Sequence, residues 1–266
     1  MIREITIGQY YPVDSVIHRL DPRTKLAGTL LFIVALFCAN NVAGYAIITV
    51  FLAAVIKLSN VPFKFIVRGL RAVLVLLLIS VLFNLFLTSG TVIWQFKFLK
   101  ITEEGLRLSV FMALRLIYLV IGSSVMTLTT TPNQLTDGME QGLRGFAKFH
   151  VPVHEIAMMM SIALRFIPIL VEETDRIMKA QTARGADFES GGLMQRIKNM
   201  IPLLVPLFVA AFRRATDLAM AMEARCYRGG VGRTKMKPLH YSGRDRIAYL
   251  ILFAFVAAVI AARILL

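Results

Sequence analysis

Acidic residues are scarce in this sequence. Its 266 residues include 16 Asp or Glu against 30 Lys or Arg, a formal net charge of +14. None of the sixteen lies in the long apolar runs. Ion-coupled carriers usually keep carboxylates near mid-membrane for protons or sodium, so a stand-alone secondary transporter or channel is the disfavoured alternative. No Gly-Lys pair occurs and hence no Gly-x-x-x-x-Gly-Lys-[Ser/Thr] phosphate loop, which removes ATP hydrolysis through a Walker site. No catalytic triad or carboxylate dyad presents itself, and no cofactor motif, so the chain reads as non-enzymatic with no cofactor. Cysteine is limited to Cys38 and Cys226, one in a predicted span and one in a predicted cytoplasmic arm, with no CxxC pattern. His150 and His154 lie four apart, but Pro152 separates them and His-Glu-x-x-His is absent. The bland reading is a histidine pair at a helix start, and no metal site is assigned. Residues 1–25 have no apolar core, so they do not read as a cleavable signal peptide.

What the sequence has in excess is apolar surface: 57% of residues are hydrophobic and mean hydropathy is +0.69. The bilayer is therefore the expected solvent for much of the chain. Leu26 to Ile56 carries no charge, too long for one span and short for two. Arg23 and Lys25 precede it and Lys57, Lys64, Arg68 and Arg71 follow, so the positive-inside rule puts both ends on the cytoplasmic side. A hairpin turning near Asn40-Asn41 satisfies this, with helices shorter than the roughly 20 residues of a standard span and either local thinning or cover from neighbours. A third span is predicted from about Ala72 to Thr88. Trp94-Gln95-Phe96-Lys97-Phe98 then reads as membrane interface, and a fourth span runs from about Gly105 to Leu128. Arg115 inside it must snorkel, or face another helix and bond its carbonyls.

From Thr129 to Arg244 the pattern changes to amphipathic helices. Thr131-Pro132 is an N-cap and first-turn pair opening a helix to about Phe149. After Pro152, Ile156, Met160, Ala163, Ile167, Leu170, Thr174 and Ile177 mark one apolar face of a helix that Pro168 should kink and Gly185 should end. From near Met194, Ile197, Ile201, Leu204, Phe208, Ala211, Ala215, Leu218 and Met222 keep a four-three alternation. The apolar run 199–212 is about fourteen residues, nearer to an interfacial or core helix than to a span. This helix is therefore placed along the inner membrane surface. A last span is predicted over 247–262. The expected fold class is an all-α integral membrane protein of about five transmembrane helices with a cytoplasmic module of amphipathic helices. The segments are a leader (1–25), four spans (26–128), the module (129–244) and a C-terminal span (245–266). The positive surplus falls mostly on the inner side, so topology accounts for it without nucleic acid.

Two helix ends repeat one pattern: Ala180-Gln181-Thr182-Ala183-Arg184-Gly185 and Ala221-Met222-Glu223-Ala224-Arg225-Cys226. A cation at a helix C-terminus is favoured by the dipole, so capping alone could explain each arginine. Their repetition, and the small alanine before each, favour insertion into a partner's groove, where the guanidinium fork can bind a carboxylate bidentately.

The leader Gly8-Gln9-Tyr10-Tyr11-Pro12 with His18-Arg19-Leu20-Asp21-Pro22-Arg23-Thr24-Lys25 resembles the T component, EcfT, of energy-coupling factor transporters (the CbiQ-like family). So do the blocks 163–168, 180–185 and 213–225, and the likeness covers nearly the whole chain. The resemblance implies two EcfA-type ABC ATPases, taken as a heterodimer, one or more membrane S components that bind a vitamin or other micronutrient, and a multi-pass location in the bacterial cell membrane. It also implies ATPase docking through Ala183, Arg184 and Gly185 and through Ala224, Arg225 and Cys226. Cys226 departs from the family's glycine there, and Gly229-Gly230 is the expected break instead. The apolar seams, Ile156, Met160, Ala163 and Ile167 with Ile201, Leu204, Phe208 and Ala211, are expected against the S component or between the helices.

Overall fold

The computed structural model describes residues 10–96, 99–145, 152–188, 192–230, 236 and 238–265, so Gly8, Gln9, Lys97, Phe98 and His150 lie outside the described residues. The elements run α1 (Pro22–Cys38), α2 (Val42–Ser59), α3 (Phe63–Leu87), β1 (Val92–Phe96), β2 (Leu99–Thr102), α4 (Glu103–Thr129), α5 (Pro132–Leu143), α6 (Val153–Ala183), α7 (Leu193–Ala224) and α8 (Gly243–Leu265). The fold is that of an all-α membrane protein. Four helices, α2, α4, α6 and α8, are long and apolar enough to cross a membrane, and α3, bent by 61° at Ala72, makes a fifth.

The agreement in number hides differences in detail. Only the second half of α3 is visible as a span in the sequence, because Lys64, Arg68 and Arg71 mask Phe63–Arg71 from hydropathy. α6 meets the length and apolarity of a span, although the sequence pattern places it in the amphipathic module. Trp94 and its neighbours form an antiparallel hairpin, Val92 pairing with Thr102 and Phe96 with Leu99. The alternation read as membrane interface is thus also a strand's period of two. At the opening of α5 the expectation holds closely. Thr131 Oγ1 accepts from the Gln134 amide (3.3 Å) and Gln134 Oε1 accepts from the Thr131 amide (3.1 Å), a reciprocal capping box ahead of Pro132. This helix ends at Leu143, short of the expected Phe149, which lies outside the described residues.

The chain divides into two compact units, one of 8–142 with 239–266 and the other built from 143–238. The first holds α1 to α5 and α8. Its core is Phe32, Leu36, Ile48, Leu52, Ile121, Val125, Phe255 and Val259, with the rings of Phe51 and Phe255 stacked at 4.1 Å. In lipid such packing is held by close dispersion contact and not by expulsion of water. Small residues permit the approach: a Cβ on Gly122 would lie 2.5 Å from Phe32 Cε1. α1 and α2, 17 and 18 residues long, rise only about 26 Å, less than the roughly 30 Å hydrocarbon core. Arg115 of α4 reaches their turn, where its Nη2 donates to the Ala39 carbonyl at 3.2 Å. This is the helix-facing role expected for it.

One end of this unit is clasped by the leader. Lys25, only 7% exposed, donates from Nζ to the His18 carbonyl (3.1 Å) and the Thr129 carbonyl (2.8 Å). The Tyr11 amide donates to the Leu128 carbonyl at 2.9 Å, so α4 ends against the leader twice. Asp21 caps α1 by accepting from the Arg23 amide, and its own amide donates to buried Asp245 Oδ1 at 2.9 Å. Asp245 in turn accepts from the amide and hydroxyl of Ser242, closing the start of α8. The motif His18 to Lys25 is therefore a fastening between α1, α4 and α8.

Within the second unit, α6 and α7 form an antiparallel hairpin. Gln181 meets Pro202 while Glu173 meets Arg214, so the residue numbers run in opposite directions. Both helices continue through their prolines, Pro168 in α6 and Pro202 and Pro206 in α7. Pro206 has no N–H to give the carbonyl four residues earlier, that of Pro202. Gln181 Nε2 supplies the missing donor from the opposite helix, at 3.3 Å.

Candidate docking site: two arginine-tipped helix ends

The two ends share one backbone solution. At α6 the Gly185 amide donates to the Thr182 carbonyl (2.9 Å) and the Ala186 amide to the Gln181 carbonyl (3.0 Å). At α7 the Cys226 amide donates to the Glu223 carbonyl (2.8 Å) and the Tyr227 amide to the Met222 carbonyl (3.0 Å). Both are Schellman motifs, in which a left-handed residue folds the chain back over the last turn and satisfies its carbonyls. Gly185 takes φ +89° and Cys226 φ +56°. The expected displacement of the second break to Gly229-Gly230 is thereby corrected: the helix stops at Cys226 itself. The two backbone bonds hold this residue in a region that L side chains rarely adopt. Gly229 is also left-handed, φ +86°, but lies beyond the helix.

Arg184 and Arg225 occupy the same position in each motif, with φ −88° and −91°. Ala183, Arg184, Gly185, Ala224, Arg225 and Cys226 are all exposed. Among the described residues no side-chain hydrogen bond or ion pair engages either guanidinium. Since the helices are antiparallel, these tips stand at opposite ends of the hairpin, about 35 to 40 Å apart at 1.5 Å per residue.

Along the hairpin the predicted seams are mostly uncovered. Ile156, Met160, Ile167, Ile201, Leu204 and Phe208 are exposed, Phe208 to 62%, as is Ala163, while Ala211 is half-buried. The two helices face each other through Phe166, beside the predicted face of α6, and Leu170, on it, which meet Ala215, Leu218 and Met222 of the predicted α7 alternation around a cavity of about 290 Å³. Ala211 borders this cavity and so belongs to both faces. Between Ile197 and Phe212 the large apolar side chains Ile197, Ile201, Val205, Phe208, Val209 and Phe212 are exposed, the kind of surface that commonly meets lipid or another protein. Sequence reasoning missed the residues that set the hairpin, Gln181 and the Glu173–Arg214 ion pair at 3.1 Å. The signal available was a polar residue opposite a proline that strips a carbonyl of its donor. Cys38 and Cys226 are free thiols. Among the described residues no group of three or more His, Cys, Asp or Glu is placed to hold a metal.

Comparison with known proteins covers almost the whole chain. The family model described as cobalt transport protein, CbiQ, matches residues 14–237. A protein of Clostridium kluyveri named energy-coupling factor transporter transmembrane protein EcfT is 55% identical over 266 residues, 99% of this chain and 98% of its own. Proteins of the same name from Thermosediminibacter oceani and Bacillus subtilis are 56% identical over 249 residues and 51% over 246. They cover 94% and 92% of this chain, and 94% and 93% of their own lengths.

Proposed function

The chain belongs to the CbiQ/EcfT family of transporter transmembrane proteins, and from that premise we propose that it is the coupling subunit of an energy-coupling factor importer. In this reading two ABC ATPases bind the arginine tips from the cytoplasm, and a membrane S component carrying a vitamin or other micronutrient lies against the apolar stripe of the hairpin. ATP-driven movement of the ATPases shifts the tips, and the hairpin passes that movement to the S component. The chain itself has no catalytic role. The N-terminus and the tips of α6 and α7 lie on the cytoplasmic side.

The observation that carries this reading is the pair of matched ends. A cation serving only as a cap would bond its own terminal carbonyls, but the Schellman backbone already satisfies carbonyls of that last turn. Each guanidinium is left exposed, next to a small alanine, at one end of a rod long enough to separate two docking grooves. A forked donor in a groove with a carboxylate makes a bidentate ion pair, and removing one member of a desolvated pair costs roughly 2 to 5 kcal/mol. Glutamate in the same place adds repulsion.

The test is co-purification from the native membrane of the wild type beside the Arg184→Glu/Arg225→Glu variant. Two ATPases and one or more small membrane proteins should accompany the wild type. The variant should lose the ATPases and keep the membrane partner. Retention of the ATPases and of uptake by the variant would return both arginines to simple capping.

A further inference from the structure

The first unit contains a mostly apolar cavity that the coupling function does not use. It has a volume of about 350 Å³ and is walled by α1, α2, α4, α8 and the leader. Its wall is polar at one end and apolar in depth. Lys25, Thr129 and Arg244 stand at the end where α1 and α8 begin and α4 stops, and Phe32, Phe51 and Ile251 line the interior. Lys25 to Phe32, Arg244 to Ile251 and Leu58 back to Phe51 are each seven residues, so the cavity runs about 10 Å along the helices. The wall residues Leu58, Ile247 and Ile251 are exposed on the lipid-facing surface of these helices, which opens the cavity sideways to the bilayer.

The leader and the first turns of α1 and α8, which close the polar end, carry more cations than carboxylates. Asp245 is occupied by the Asp21 amide and by Ser242, Asp21 by Arg23 and Asp14 by Arg19. Arg244 and Arg246 are exposed and make no described hydrogen bond or ion pair, although Arg244 lies close enough to Asp14 to help hold that carboxyl below its ordinary value, after the larger effect of Arg19. Lys25 spends two of its three protons on carbonyls. Five cations, Arg19, Arg23, Lys25, Arg244 and Arg246, thus lie on the leader and the first turns of α1 and α8, against three carboxylates there that are already bonded.

We infer that this cavity holds one anionic phospholipid of the surrounding membrane, its headgroup on Arg244 and Lys25 and the upper part of one acyl chain between Phe32, Phe51 and Ile251. Basic pockets between transmembrane helices select anionic headgroups, and an apolar slot beneath supplies the chain with dispersion contact. A second protein's helix is the wrong shape for a slot only about 10 Å deep with a cationic end, since a helix with its side chains is itself about 10 to 12 Å across.

The test uses the full chain in nanodiscs of dioleoylphosphatidylglycerol or dioleoylphosphatidylcholine, with lipids retained after detergent stripping counted by native mass spectrometry. Wild type should hold one phosphatidylglycerol per chain, with about fivefold preference over phosphatidylcholine, the effect of roughly one basic residue near the headgroups. Arg244→Gln should abolish that preference, and Arg244→Lys should keep most of it. Ala54→Trp places a large ring in the wall from an exposed position and should remove the retained lipid of either kind. A photo-crosslinker at Ala54 in native membranes should yield lipid adducts. Equal retention of the two lipids by wild type, full retention by Ala54→Trp, or a protein adduct at Ala54 would each overturn the inference.

Discussion

Exchanging the left-handed residues at the two helix ends should shift their stability in opposite directions. Gly185 sits at φ +89° with nothing within 4 Å of where a Cβ would stand, so Gly185→Ala meets no steric neighbour. Its whole cost is backbone conformation, about 1 to 2 kcal/mol for an L residue in that region. Cys226 at φ +56° already bears that strain, so Cys226→Gly should recover about 1 kcal/mol of it, less a few tenths for the added entropy of the unfolded chain. The amides that close the motifs report this directly. In hydrogen exchange, protection of the Gly185 and Ala186 amides should fall about five- to twentyfold in Gly185→Ala, and that of Tyr227 should rise about three- to fivefold in Cys226→Gly. Amides in the middle of α4 should be unaffected and serve as the control. If Cys226→Gly lowers protection at Tyr227, or if both substitutions act in the same direction, the two ends do not share the closure described, and the Cys226 side chain has a stabilising contact of its own.

Two further outcomes concern the leader. Lys25→Met should leave the His18 and Thr129 carbonyls without a donor, at about 1 to 3 kcal/mol after the relief of burying a charge, and lower the melting temperature in detergent by roughly 4 to 8 °C; an unchanged melting temperature would remove Lys25 from the fastening. His18 is held by Ser15 Oγ at 2.7 Å and the Tyr11 carbonyl at 3.1 Å, and burial pushes its pKa below the ordinary 6.5. Its folded pKa lies below the unfolded one, so its contribution is present above pH 6.5 and is lost as pH falls through the lower folded value. Trypsin cleavage after Arg19 should accelerate below that value in wild type and show a weaker pH response in His18→Gln.

Hydropathy locates α1, α2, α4 and α8 because a chain that must face water rarely carries uncharged runs of that length. The arginine ends are equally readable, since the change from apolar period to Ala-Arg is local. Burial of Lys25 is not, because its partners include a carbonyl 104 residues away and nothing near Lys25 in sequence distinguishes it from an ordinary flanking charge. The first half of α3 is hidden by three basic residues that a window average counts against a helix. The break at Cys226 escapes for a different reason. Residue preference points to the glycines that follow, yet the hydrogen bonds of the last turn hold a non-glycine residue in the left-handed region. The inward face of α6 shares Leu170 with the expected stripe but is otherwise turned by about one residue, because Ile162 and Phe166 lie beside that stripe and both faces are apolar enough to serve.

The Gln181–Pro202 bond makes the hairpin a vernier. Antiparallel helices settle at registers about one turn, or 5.4 Å, apart. Slippage by a single notch would strand the Pro202 carbonyl, which Pro206 has deprived of any donor in its own helix. The spacing of the two tips is therefore graduated by residues remote from Arg225. A change at position 181 or 206 would recalibrate the span between Arg184 and Arg225 without altering either arginine.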